Sequence, residues 1–157
     1  MGKRSVRENK TVYQQCREAL DLTRDKASER MDFISADRIE KIESERSMPH
    51  PDEILAMAKA YQVPELSNYY CSNACPIGRK YVPELKKKEL STIVLELLAG
   101  ITALSKEKNR LIEITVDGVI SEDEREDFTR IREQLQMLAS CSSALSFWME
   151  KQELEQK

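Results

Sequence analysis

Apolar and polar positions alternate with a helical period along most of the chain, and the period changes character near residue 84. Before that point the runs are short. Val12, Cys16, Ala19 and Leu20 recur three and four residues apart, which predicts a first helix over about residues 11–22 with one buried stripe. Thr23 is placed to cap a second helix over about 24–31, in which Ala27 and Met31 face inward and the small Ser28 allows close contact. Asp32 and Phe33 make the turn that follows. Ser35 caps a third helix, 35–44, whose inner face carries Ile39 and Ile42 beside Ile34, leaving Ser35, Ala36, Asp37, Arg38 and Lys41 on the outer surface. Met48, Pro49, His50 and Pro51 interrupt helical structure, because a proline lacks an amide donor and restrains its predecessor. Pro51 also suits the opening of a fourth helix over about 52–61, with Ile54, Leu55, Ala58 and Tyr61 inward, and a short fifth element over 63–70 follows Pro64.

Residues 71–83 hold two prolines, a glycine and Cys71 with Cys75, a composition that predicts an ordered linker without a long element. Beyond it, Leu90, Val94, Leu97, Ile101, Leu104 and Leu111 follow a 4-3 spacing broken only by Lys108, which predicts a helix of about 30 residues with a coiled-coil-like face. The pattern stops at residues 115–120. Ser121 with Glu124 then forms a capping-box sequence ahead of a second long helix, where Phe128, Ile131, Leu135, Leu138, Leu145 and Met149 repeat the heptad. A short turn between two such helices folds them into an antiparallel hairpin. A second stripe, Ile93, Gly100, Met137, Cys141, Ala144 and Trp148, is left for a partner: the N-terminal part or another copy of the chain. The organisation expected is all-α, with residues 1–70 a five-helix head, 71–83 a linker and 84–157 a helical hairpin for oligomerisation or interaction.

Composition narrows the class. Four glycines and five prolines in 157 residues, with 34% charged positions, suit a few long helices better than a β-rich fold. Four scattered cysteines do not make a disulfide framework, the basic start Lys3, Arg4, Arg7 precedes no apolar leader, and the longest apolar patch, 93–101, is too short for a bilayer, so a cytoplasmic protein without a membrane partner is expected. Net charge is −3 and each half is close to balanced, 12 basic against 13 acidic residues in 1–70 and 13 against 15 in 71–157. Any affinity for a polyanion must therefore come from a local footprint. The first ten residues supply one, with Lys3, Arg4, Arg7 and Lys10 against a single Glu8, and a flexible arm along phosphates stands beside a merely solubilising terminus as its reading.

The order Thr23, Ser28, Ser35, Ile39 with Ile42 and Glu43, a basic proline-containing loop over 46–51, an alanine-rich helix with Ala56, Ala58 and Ala60, and a turn at Gln62 and Val63 resembles the phage-repressor-like helix-turn-helix domain of the XRE family of bacterial transcriptional regulators. The resemblance covers about residues 12–70. Three positions depart from the family pattern: Asp32 and Phe33 precede Ile34 where the family has a glycine followed directly by an apolar residue, Ser28 replaces an alanine, and Ser44 and Glu45 stand where the family often has Arg-Gly.

The resemblance implies that helix 35–44 enters the major groove of duplex DNA with Ser35, Ala36, Asp37 and Arg38 near base edges, while Arg24, Lys41 and Arg46 hold phosphates; Lys3 and Arg4 of the basic arm, outside the matched stretch, are further candidates for phosphate contact. By that analogy Arg38 forks onto guanine and Asp37 either reads a cytosine amino group or pairs with a neighbouring cation. A dimer reading two half-sites is expected, with the hairpin joining the copies. Cys71 and Cys75, four positions apart, are the candidates for metal or redox chemistry, yet two ligands fall short of the usual four, so no metal, cofactor or enzymatic activity is expected. The competing reading is a protein-interaction module that keeps the fold without binding DNA, suggested by Asp37, Glu40, Glu43 and Glu45.

Overall fold

The computed structural model describes residues 9–156. Among them it is all-helical: α1 Val12–Ala19, α2 Arg24–Glu29, α3 Ala36–Glu43, α4 Pro51–Ala60, α5 Glu65–Asn73, α6 Gly78–Tyr81, α7 Leu90–Thr115 and α8 Arg125–Glu155. Two compact units divide the chain, residues 1–84 with 150–157, and residues 85–149.

In the first unit Thr11, Thr23 and Ser35 each accept a hydrogen bond at a helix start, from the backbone amides of Gln14, Lys26 and Arg38. These caps satisfy amide groups that have no partner inside the helix. The other ends of α1, α3 and α4 close alike. Asp21, Glu45 and Gln62 take left-handed backbone conformations, and the next amide reaches back five residues, Leu22 to Arg17, Arg46 to Lys41 and Val63 to Ala58. Each is a Schellman ending on a residue other than glycine.

Ile34, Ile39, Ile42, Ile54, Met57, Tyr61 and Leu66 fill the core between these helices. Ser28 sits at the predicted close contact, and its hydroxyl donates to the Ile34 carbonyl at 2.7 Å, which ties α2 to the turn before α3. The inner faces of α1 and α4 differ from the periodicity reading. On α1 it is Tyr13, Gln14 and Arg17 that are buried, while Ala19 and Leu20 are exposed, because Arg17 turns inward to a buried acceptor and Tyr13 stacks edge-on against Tyr69. On α4 Leu55 points outward and Met57 takes the inner position between Ile54 and Ala58. The fifth helix also runs beyond residue 70, to Asn73, followed by the single turn α6. Gly78 is required there, since a Cβ at that position would lie 2.1 Å from the Cys71 carbonyl oxygen.

The second unit is an antiparallel pairing of α7 with the part of α8 up to Met149. Arg110 bonds Asp127 at 2.7 Å, Arg130 bonds Glu107 at 3.1 Å, and a Cβ on Gly100 would touch Leu138, so residue numbers rise along one helix as they fall along the other. The seam lies one step from the expected heptad. Ile93, Gly100 and Ile114 are buried on α7 and Ile131 and Cys141 on α8, with Leu97, Leu104, Glu107, Leu111, Asp127, Gln134, Leu138 and Leu145 half-buried between them. Ile101, Leu135 and Met149, placed in the seam by sequence spacing, are exposed. The observed register puts Glu107, which pairs with Arg130, where the expected one would have put Lys108. At the turn, Gly118 is left-handed and the Asp117 carboxylate accepts from the Val119 amide at 3.0 Å, while Glu124 accepts from Ser121 as the capping-box sequence implied.

Candidate nucleic-acid interface

The outward face of α3 follows from what lies beneath it. An α-helix turns about 100° per residue. With Ile39 and Ile42 buried, the opposite side falls to Asp37, Lys41 and Ser44. Asp37 and Lys41 are ion-paired at 2.7 Å, with side chains 73% and 48% exposed. Lys41 holds the Asp37 carboxyl below its usual range, through a hydrogen bond and its charge.

The helix is held from below by a buried carboxylate. Glu43 accepts from Arg17 Nε at 2.6 Å, from Arg17 Nη2 at 2.9 Å and from Arg24 Nε at 2.8 Å, and Arg17 also donates to the Leu22 carbonyl. One acidic side chain thereby joins α1, α2 and α3. Such a bidentate, charge-assisted pair fixes orientation as well as distance.

A second staple joins α3 to α4. Arg38 donates from Nε and Nη2 to the two Glu53 oxygens at 2.6 and 2.7 Å, from Nη1 to Ser47 Oγ, and from Nη2 to the Met48 carbonyl at 2.9 Å. Glu53 in turn accepts from the His50 amide at 2.7 Å, closing the N-terminus of α4. The Arg38 hydrogen bonds hold the Glu53 carboxyl below its ordinary range despite partial burial. The remaining loop cation, Arg46, donates to Glu40 and to Ser44.

Each expected interface residue within the described range thus has a definite place. Asp37 and Lys41 lie together on the outer face of α3; Ser35 is exposed, but its oxygen serves as the helix cap; Ala36 is half-buried at the first turn. Arg24 and Arg38 are turned onto Glu43 and Glu53, and Arg46 lies on Glu40. Lys3 and Arg4 lie outside the described residues, and Lys10, the nearest described member of the basic arm, bonds Glu18 at 2.7 Å. Arg17, Ser47 and Glu53 did not enter the sequence reading, although Glu53 stands three residues after His50, the spacing of a capping acid. Cys71 lies in the last turn of α5 and Cys75 follows the helix, its sulfur accepting from the Gly78 amide at 3.5 Å. Among the described residues no group of three or more His, Cys, Asp or Glu side chains is placed to hold a metal ion, and no helix is long and apolar enough to cross a membrane.

Residues 14–66 match the helix-turn-helix family, a family of DNA-binding regulators that typically lack enzymatic activity. The N-terminal domain is an XRE-type helix-turn-helix domain. No curated protein and no solved structure matches the chain.

Proposed function

We propose that this protein is a sequence-specific transcriptional regulator that inserts α3 into the major groove of duplex DNA and acts as a homodimer joined through the α7–α8 hairpin. The observation that carries the reading is the stapled α3: its aliphatic side is buried, three helices are locked to Glu43 beneath it, and its polar side faces outward. A rigid helix presented this way loses little conformational freedom on docking, and helices of this kind read base edges in the major groove. One head offers a small footprint, so two half-sites supply the affinity that one lacks. The apolar side chains Leu98, Ile101 and Ile112 on the outside of α7 support a second copy as the element that links them.

The ion pairing of the interface favours one competitor. Lys41, Arg46, Arg38 and Arg24 each face a carboxylate, so the surface presents no excess of positive charge, as a protein-interaction module would. Selection from random duplexes at low salt separates the two. Enrichment of a palindromic site whose binding weakens with added salt supports the regulator; no enrichment favours the interaction module. Sedimentation at tens of micromolar tests the dimer, and a strictly monomeric chain removes the two-half-site mode.

A further inference from the structure

Resting on that reading, we infer that Asp37 and Lys41 act as one unit that reads a C·G base pair, the carboxylate accepting from the cytosine N4 amino group and the ammonium donating to guanine O6 and N7. The three arginines around α3 are all engaged by carboxylates within the domain, Arg24 by Glu43, Arg38 by Glu53 and Arg46 by Glu40. The charged pair opposite the buried isoleucines is Asp37 with Lys41, its oxygen and nitrogen 2.7 Å apart and both side chains open to solvent.

That spacing is complementary to a base-pair edge. Cytosine N4 and guanine O6 are hydrogen-bonded to each other and so lie about 2.9 Å apart, donor beside acceptor, in the major groove. An acceptor and a donor at the same separation can lie against them without the ion pair opening. Guanine N7, next to O6, gives the ammonium a second acceptor, and the carboxylate rests beside the cytosine C5–H.

The other pairs fit less well. An A·T pair also sets an amino group beside a carbonyl, but there the carboxylate meets the lone pair of adenine N7 and the ammonium meets the thymine methyl. Reversing either pair exchanges donor and acceptor against a helix whose direction is fixed by docking. Lys41 also offsets the repulsion between an acidic side chain and the DNA backbone, because the pair it forms with Asp37 is neutral toward the phosphates.

The test is selection from random duplexes with the full chain, followed by binding titrations on the enriched site for wild type, Asp37→Ala and Asp37→Asn, with circular dichroism to show that each variant is folded. Wild type is expected to prefer C·G at one position per half-site by about tenfold over the other pairs. Asp37→Ala is expected to abolish that preference while leaving affinity for unrelated duplexes equal or higher, since Lys41 is released toward phosphate. Asp37→Asn is expected to move the preference at the same position to adenine, whose N6 and N7 suit an amide. An enriched site whose base preferences survive both substitutions overturns the assignment of Asp37 and leaves the regulator standing. If wild type enriches no duplex at all, both are overturned.

Discussion

The head and the hairpin use polar and apolar side chains in opposite ways. In the head, Ile34, Ile39, Ile42, Ile54, Met57, Tyr61 and Leu66 are each 1% exposed or less, and the buried carboxylate Glu43 has two guanidiniums on it. In the hairpin, Glu107, Asp127 and Gln134 occupy seam positions while Leu95, Leu98, Ile101, Ile112 and Met137 face outward. Burial of apolar area is the main favourable term in folding, so the head holds its helices with a filled core and the hairpin with a partly polar seam. Substitutions in the head therefore have mostly stability to lose, and some substitutions in the hairpin have stability to gain.

The largest expected loss comes from Glu43→Ala. Removing the carboxylate leaves Arg17 buried and charged, with the Leu22 carbonyl as hydrogen-bond acceptor and the Glu18 carboxylate farther off at 3.8 Å, and breaking a buried pair in this way costs about 3–5 kcal/mol. That is a large share of the stability of a small domain. Chemical denaturation followed by circular dichroism reads it. The double variant Arg17→Met with Glu43→Leu should recover most of the loss, since apolar replacements of similar volume leave no buried charge orphaned, and Arg24, which also loses Glu43, is exposed enough to turn to solvent. A single substitution costing under about 1 kcal/mol would show that Glu43 is not what joins α1, α2 and α3.

Glu53→Gln should cost about 1–2 kcal/mol at neutral pH, by removing a bidentate acceptor that is only partly screened by solvent. It should also change the response to acid. Glu53 has a folded-state pKa below its unfolded value of about 4.3, so its contribution is fully present above that value and disappears as pH falls through the lower, folded one. Wild type should thus lose stability from about pH 5 downward, and Glu53→Gln should show a shallower loss over the same range. Equal slopes for the two proteins would mean that the pair with Arg38 is absent in solution.

How legible each region was in the sequence follows the same division. The caps Thr23 and Ser35 and the core residues Ile34, Ile39 and Ile42 are local signals, dictated by amide groups without partners and by the helical period, and the structure places them as expected. Arg17 was hidden because a charged residue off the predicted apolar stripe reads as solvated until its partner, 26 residues away, is known. Arg38 was hidden in the same way, its acceptors lying in the loop and on α4. On the hairpin, two overlapping heptads share Leu97, Leu104 and Leu111, one continuing through Ile101 and Lys108 and the other through Ile93, Gly100, Glu107 and Ile114, and spacing alone does not choose between them.

Gln134→Leu should raise the stability of the hairpin by about 1 kcal/mol. Its side-chain oxygen is buried with no hydrogen-bond partner, at a half-buried seam position on the α7 side of α8. An unsatisfied buried acceptor carries a desolvation penalty of about 1–3 kcal/mol, part of which is recovered when an apolar group of similar size replaces it. Thermal unfolding reads the gain. A loss instead would place an acceptor's partner at that site in solution.

The smallest expected effects are in the backbone, and they test the comparison from the other side. The hairpin turn puts a glycine at its left-handed position, Gly118 at φ 73°, whereas the head ends α3 on Glu45 at φ 60°. A residue with a Cβ is disfavoured there by roughly 1 kcal/mol, because the Cβ approaches the following carbonyl oxygen. Glu45→Gly should therefore stabilise the head by about 0.5 kcal/mol, less than the full relief because glycine also loses more freedom on folding. Gly118→Ala, with open space around the added Cβ, should cost the hairpin about 1 kcal/mol through the backbone alone. Glu45→Asn, which tolerates the left-handed region, should fall between glutamate and glycine, and it separates relief of the backbone from the loss of an acidic side chain beside α3. If Gly and Asn stabilise equally, and Glu45→Gln does the same, the effect is electrostatic and the Schellman ending of α3 carries no strain.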